Sequence, residues 1–113
     1  MSAALKARVV DARHDWNGDR HQHTPLERSV LYEVHVKGFT MRHPGVPEAL
    51  RGSYAGLASD AAIDHFKRLG VTAVCLLPVQ QHLDERRLVE MGLSNYWGYN
   101  TIGFFAPEPR LAS

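Results

Sequence analysis

Residues 72–77, Thr72-Ala73-Val74-Cys75-Leu76-Leu77, form an unbroken apolar run that Pro78 stops. A strand with one wet face alternates polar and apolar side chains. A continuous run instead predicts a parallel strand covered on both faces. Just before it, residues 60–69 carry the pattern of a crossover helix. Ser59 stands at the N-cap, and Asp60 places negative charge in the first turn. Ala62, Ile63, Phe66 and Leu69 make one apolar face, with Asp64 and Arg68 spaced to pair on the wet side. Gly70 supplies the left-handed residue that ends such a helix.

An earlier strand is needed to complete the crossover. Residues 30–36, Val30-Leu31-Tyr32-Glu33-Val34-His35-Val36, are rich in β-branched and aromatic types, and Gly38 ends the run. Between strand and helix, residues 41–58 hold Pro44, Gly45, Pro47, Gly52 and Gly56, a long loop with one helical turn near Glu48. The expected unit is therefore βαβ, crossing right-handed.

One such unit leaves two sheet edges open and cannot cover both faces of its strands. The fold class expected is α/β, as a piece of a larger domain; a closed eightfold barrel takes about 250 residues. A small α+β domain that stands alone is the alternative, with open edges that would favour self-association. Residues 80–93 read as a polar loop with a short helical piece at 85–89, and no third strand is expected. Residues 1–29 read as an arm with a turn at Asn17-Gly18, anchored by Trp16.

Composition narrows the function. The 113 residues include 13 basic and 12 acidic side chains, for a net charge of +1, so no basic surface favours nucleic acid. No apolar stretch approaches the ~20 residues of a membrane span. Residues 1–10 lack the apolar segment of a signal peptide. One cysteine, Cys75, excludes a disulfide framework, so a reducing, cytoplasmic setting is expected. Cys75 is expected to be a buried, inert thiol. His21 and His23 form an i, i+2 pair without an evident third ligand, so no metal site and no cofactor is expected.

Aromatic side chains are the clearest chemical signal. Asn95-Tyr96-Trp97-Gly98-Tyr99-Asn100 places three rings in six residues. A flat ring matches the C–H face of a sugar, and amide side chains match its hydroxyl rim. Simple packing of the rings inside the loop is the competing reading. Glycoside hydrolysis needs two carboxylates, and no convincing pair is present. Glu33 alone sits in a strand, where a buried, hydrogen-bonded glutamate is expected. His35 and His82 stand at strand ends and read as structural.

Several segments resemble one family, in one order. Residues 30–40, ending Val36-Lys37-Gly38-Phe39-Thr40, resemble the first barrel strand of α-amylase superfamily (glycoside hydrolase family 13) enzymes of the isoamylase type. Leu50-Arg51-Gly52-Ser53-Tyr54-Ala55-Gly56-Leu57 resembles the loop into their first helix, and residues 69–79 their second strand. Residues 95–110 are similar to the bacterial glycogen debranching enzymes, and Asp15-Trp16 with Gly18-Asp19-Arg20 to the connection preceding their barrel.

The resemblance implies part of a (β/α)8 TIM barrel: a linker arm over residues 1–29, then the first strand, helix and second strand within residues 30–113. It implies a retaining enzyme that cuts α-1,6 branch links of glycogen. Tyr99 would be the aromatic platform under the sugar, Gly98 would allow the close turn, and Asn95 and Trp97 would shape the loop beside it. Tyr99, Trp97 and Asn95 are thus the implied substrate-binding residues. The family's nucleophilic Asp, acid/base Glu and stabilising Asp belong to later strands, so no catalytic residue is assigned here and the chain alone is expected to be inactive. A noncatalytic glucan-binding fragment and a 4-α-glucanotransferase relative are the alternatives. The sequence departs from the family at His14, at His21-Gln22, at Leu26 and at Leu111.

Overall fold

The computed structural model describes residues 9–113. Strand β1 (Leu31–Val34) shows a period of two: Val34 is buried and Tyr32 half-buried, while Leu31 and Glu33 are exposed. The strand ends two residues earlier than expected because His35 acts as a cap. Its Nδ1 accepts the Gly38 amide at 3.1 Å and starts helix α1 (Val36–Thr40). Val36 and Thr40, one turn apart, are both buried. Glu33 is exposed, which corrects the expectation of a buried, hydrogen-bonded carboxylate.

The long loop carries the expected helical turn near Glu48, as a 3-10 turn at Glu48–Leu50. It also holds a short helix that its prolines and glycines concealed, α2 (Tyr54–Leu57), where Ser53 Oγ accepts the Gly56 amide at 3.2 Å. Thr40 fastens the loop from inside, its buried hydroxyl accepting the Gly52 amide at 2.8 Å.

Helix α3 (Asp60–Arg68) lies where the pattern put it, and Gly70 follows at φ +70°. Its buried face is narrower than expected: Ala62 and Phe66 are buried, whereas Ile63 and Leu69 are exposed. Ser59 occupies the N-cap, but its hydroxyl donates to the Gly56 carbonyl at 2.7 Å instead of capping. Among the described residues, Asp64 and Arg68 form no ion pair. The core is aromatic: Phe66 stacks on Phe39 at 4.9 Å and meets the Tyr32 ring edge-on at 5.3 Å.

Strand β2 (Ala73–Leu76) pairs in parallel with β1, with Leu31 opposite Ala73 and Val34 opposite Leu76. Thr72 sets this register. Its Oγ1 accepts the Val30 amide at 2.8 Å and its own amide donates to the Val30 carbonyl at 3.0 Å. The expected cover on both faces is not there: all four β2 residues are exposed, Cys75 among them.

A second sheet, unforeseen in the sequence, follows at once. Strand β3 (Gln80–His82) runs antiparallel to β4 (Thr101–Pro107), with helix α4 (Arg86–Glu90) between them. Gln80 is opposite Pro107 and Gln81 opposite Gly103, so residues 104–106 bulge out of the ladder. That bulge leaves Phe104 and Phe105 exposed. Tyr54 of α2 ties this hairpin to the crossover, its hydroxyl lying 3.0 Å from the Val79 carbonyl and 3.2 Å from that of Glu108. A 3-10 turn (Pro109–Leu111) closes the order and buries Leu111.

The arm forms the expected turn, with the Asp19 amide donating to the Trp16 carbonyl at 2.7 Å and Asn17 at φ +47°. Trp16 is no anchor. It is 66% exposed and touches His14 edge-on at 4.8 Å. The radius of gyration, 16.8 Å, exceeds the ~13 Å of a compact chain this long. Among the described residues, no helix is long and apolar enough to cross a membrane.

The exposed Cys75 makes a direct test. In native buffer the thiol is expected to react with one equivalent of an aromatic disulfide reagent, without denaturant. Reaction only after unfolding would restore the buried reading.

Candidate functional site

The aromatic segment folds back over the C-terminal ends of β1 and β2. His35, the residue after β1, receives it. The Tyr96 ring stacks on the imidazole at 4.0 Å and 5° between planes, and His35 Nε2 donates to the Tyr96 carbonyl at 2.7 Å. Since Nδ1 accepts the Gly38 amide, one tautomer satisfies both bonds. Trp97 then stands edge-on to Tyr96 at 5.2 Å. Gly38 makes this approach possible: a Cβ there would run into the Tyr96 hydroxyl.

Asn95 shapes the loop from within. Its Oδ1 accepts the Gly98 amide at 2.9 Å, and its Nδ2 donates to Glu85 Oε1 at 3.1 Å. Gly98 takes φ +76°, and a Cβ there would press within 3.2 Å of the His82 ring and 3.1 Å of the Pro78 carbonyl. The rings are presented outward. Tyr99 is 71% exposed, and Trp97 is exposed as well. Of the three implied binding residues, the structure presents Tyr99 and Trp97 to solvent and turns the Asn95 amide inward.

Beneath the loop lies a polar cluster that the sequence reading missed. Glu108, 3% exposed, follows β4. Arg110 Nε donates to its Oε1 at 2.7 Å, and the same guanidinium holds both Asp84 oxygens, at 2.9 and 3.0 Å. Glu108 Oε2 lies 3.2 Å from His82 Nδ1. Bonds from Arg110 outweigh desolvation and hold the Glu108 carboxyl well below its ordinary value, at about 2. Asp84 is lowered as well, by Arg110 and by the Asn95 amide. The only hint in the sequence is an acid and a base, two apart, among prolines.

A small void of about 60 Å³ separates His35, His82, Tyr96 and Glu108, room for about two waters. A larger open cleft, about 720 Å³, lies at the opposite end of the β1–β2 sheet, between the arm and Thr72-Ala73. There His21 and His23 are paired with each other, the His23 amide donating to His21 Nδ1 at 3.0 Å. Among the described residues, no group of three metal-ligating side chains occurs.

Two outcomes are expected from this geometry. In Gly38→Ala, helix propensity gains about 0.5–1 kcal/mol while the lost ring stacking costs about as much. Stability should therefore stay within about 1 kcal/mol, while the near-ultraviolet dichroism of the Tyr96–Trp97 cluster is lost. An unchanged spectrum would refute the close approach. In acid, a carboxylate with a lowered folded value stabilises fully above its unfolded value of 4.5 and loses that contribution as pH falls toward about 2. The stability gap between wild type and Glu108→Gln, measured by urea melts, should close over that window; a gap constant with pH would contradict the ion pair.

No protein-family model matches the chain. It is 57% identical over 105 residues to a glycogen debranching enzyme of Dickeya chrysanthemi, a match covering 93% of this chain and 16% of the relative. It is 54% identical over 105 residues to a glycogen operon protein GlgX homolog of Mycobacterium bovis, covering 93% of this chain and 15% of the relative. The solved pullulanase of Anoxybacillus sp. LM18-11, complexed with maltotetraose, superposes with a TM-score of 0.60 at 30% identity, over 80% of this chain and 14% of that one. The chain spans about one sixth of the length of the curated relatives it matches. With 93% of its residues aligned to such enzymes, the chain is homologous to the bacterial glycogen debranching enzymes and belongs with them to the α-amylase superfamily.

Proposed function

We propose that this chain forms the first strand, helix and second strand of a (β/α)8 barrel in a glycogen-debranching glycoside hydrolase acting in the cytoplasm on α-1,6 branch links. Residues 9–29 serve as the linker arm ahead of the barrel. One observation carries this reading: the loop of Tyr96, Trp97 and Tyr99 is stacked onto His35, the residue that follows β1. The exposed rings thereby gather over the C-terminal ends of a parallel strand pair, the end at which such folds bind ligands.

In this role Tyr99 offers its face to the C–H surface of a glucose unit, and Trp97 borders the same ring. Asn95 and Gly98 keep the loop in shape. The carboxylates near the loop are already engaged: Asp84 by Arg110 and the Asn95 amide, Glu85 by the Asn95 amide group, Glu108 by Arg110 and His82. Glu108, held at about 2, stays ionised at neutral pH and has no proton to give a leaving oxygen. Bond cleavage with retention requires a nucleophile and an acid/base about 5 Å apart. We assign that pair to residues outside these 113. The same engagement of every nearby carboxylate also fits a second reading, a glucan-binding segment without hydrolysis of its own.

Titrating the full chain with maltotetraose while following tryptophan emission tests the platform. Tyr99→Ala is expected to weaken binding about three- to tenfold. Equal affinity in that variant would remove Tyr99 from the site. Incubated with glycogen, the chain alone is expected to release no reducing ends; their release would overturn the assignment of the carboxylates.

A further inference from the structure

We infer that Glu108 is a positioning residue for the aromatic loop, holding both backbone groups of Asn95 through two arms, and that loosening it weakens glucan binding. The inference rests on the proposed role of Tyr99 and Trp97. One arm runs through Arg110, whose guanidinium grips Glu108 at 2.7 Å and Asp84 at 2.9 and 3.0 Å; Asp84 in turn accepts the Asn95 amide at 2.7 Å. The other runs through His82, whose Nδ1 lies 3.0 Å from the Gln80 carbonyl and 3.2 Å from Glu108 and whose Nε2 lies 3.2 Å from the Asn95 carbonyl. A neutral ring donates from one nitrogen, so both ends of this arm close together only in the imidazolium, while the His82 amide donates to Glu108 Oε2 at 3.4 Å in either state.

The His82 ring is also the surface against which the Gly98 backbone packs. Asn95 and Gly98 thus bracket Tyr96 and Trp97 from both sides, and each depends on groups that converge on one carboxylate. Glu108 is fixed in its own right. Its amide donates to the Val79 carbonyl at 2.8 Å and its Oε1 accepts the Arg110 amide at 3.0 Å. Among the described residues its hydrogen bonds and ion pairs go to His82 and Arg110 and not to Tyr96, Trp97 or Tyr99, so its effect on a bound sugar passes through the loop.

Two tryptophans would blur the readout, so the test uses the full chain carrying Trp16→Phe, leaving Trp97 as the sole emitter. Glu108→Gln keeps the shape and removes the charge. It is expected to raise acrylamide quenching of Trp97 and to weaken maltotetraose about tenfold, with helical circular dichroism retained. Arg110→Lys keeps the charge but loses the two-sided grip, and should fall between Glu108→Gln and wild type. A folded Glu108→Gln with wild-type quenching and affinity overturns the inference. Should that variant not fold, the more exposed Asp84→Asn is read in the same way, and wild-type values there overturn it as well. Failure of the unmutated chain to bind maltotetraose refutes the proposed function and with it the affinity claim. Unchanged quenching separately refutes the positioning.

Discussion

A carboxylate taken out of water costs several kcal/mol unless its oxygens find partners. Glu108 sits 3% exposed between the end of β4 and the aromatic loop, and the local structure there is organised by that requirement. Arg110 covers one oxygen with its Nε, and the His82 ring and backbone amide face the other. Each partner carries the constraint outward: Arg110 to Asp84, His82 to the Asn95 carbonyl. The hairpin, the turn at Pro109–Leu111 and the loop of residues 93–100 share one electrostatic centre.

The other half of the molecule rests on apolar packing. Phe66, Phe39 and Tyr32 form a small aromatic core on one side of β1, with Val34, Val36 and Val46 buried nearby. Burial of such side chains is worth roughly 1.5–3 kcal/mol each, a modest total for a chain of this length. The two halves meet at His35. It caps α1 with one ring nitrogen and holds the Tyr96 carbonyl with the other, so one imidazole joins the strand end to the aromatic loop.

The crossover was legible because its signals are local. The spacing of Ala62 and Phe66 and the glycine at position 70 mark α3, and the apolar run marks β2. The ring cluster of residues 96–99 was legible too, because three aromatics so close together require an explanation in any fold. The hairpin was not, since Gln80-Gln81-His82 carries neither alternation nor β-branched residues, and a bulge breaks the pairing of β4. Apolar composition misled for Cys75: the run states that cover on both faces would be favourable, not that this segment supplies it. Glu108 lies between Pro107 and Pro109, where an acid reads as turn chemistry, and only the three-dimensional path brings it under His82.

The Tyr54 hydroxyl carries one proton and faces two carbonyls, those of Val79 and Glu108. Sharing of that proton makes the ring a clasp across the two chain segments that flank the hairpin, and desolvation raises its ionisation above 10.0, so the clasp stays shut at neutral pH. The backbones of residues 79 and 108 are therefore tethered to the same helix turn. A displacement of Tyr54 with α2 therefore bears on the strand entering the hairpin and on the one leaving it through a single hydroxyl.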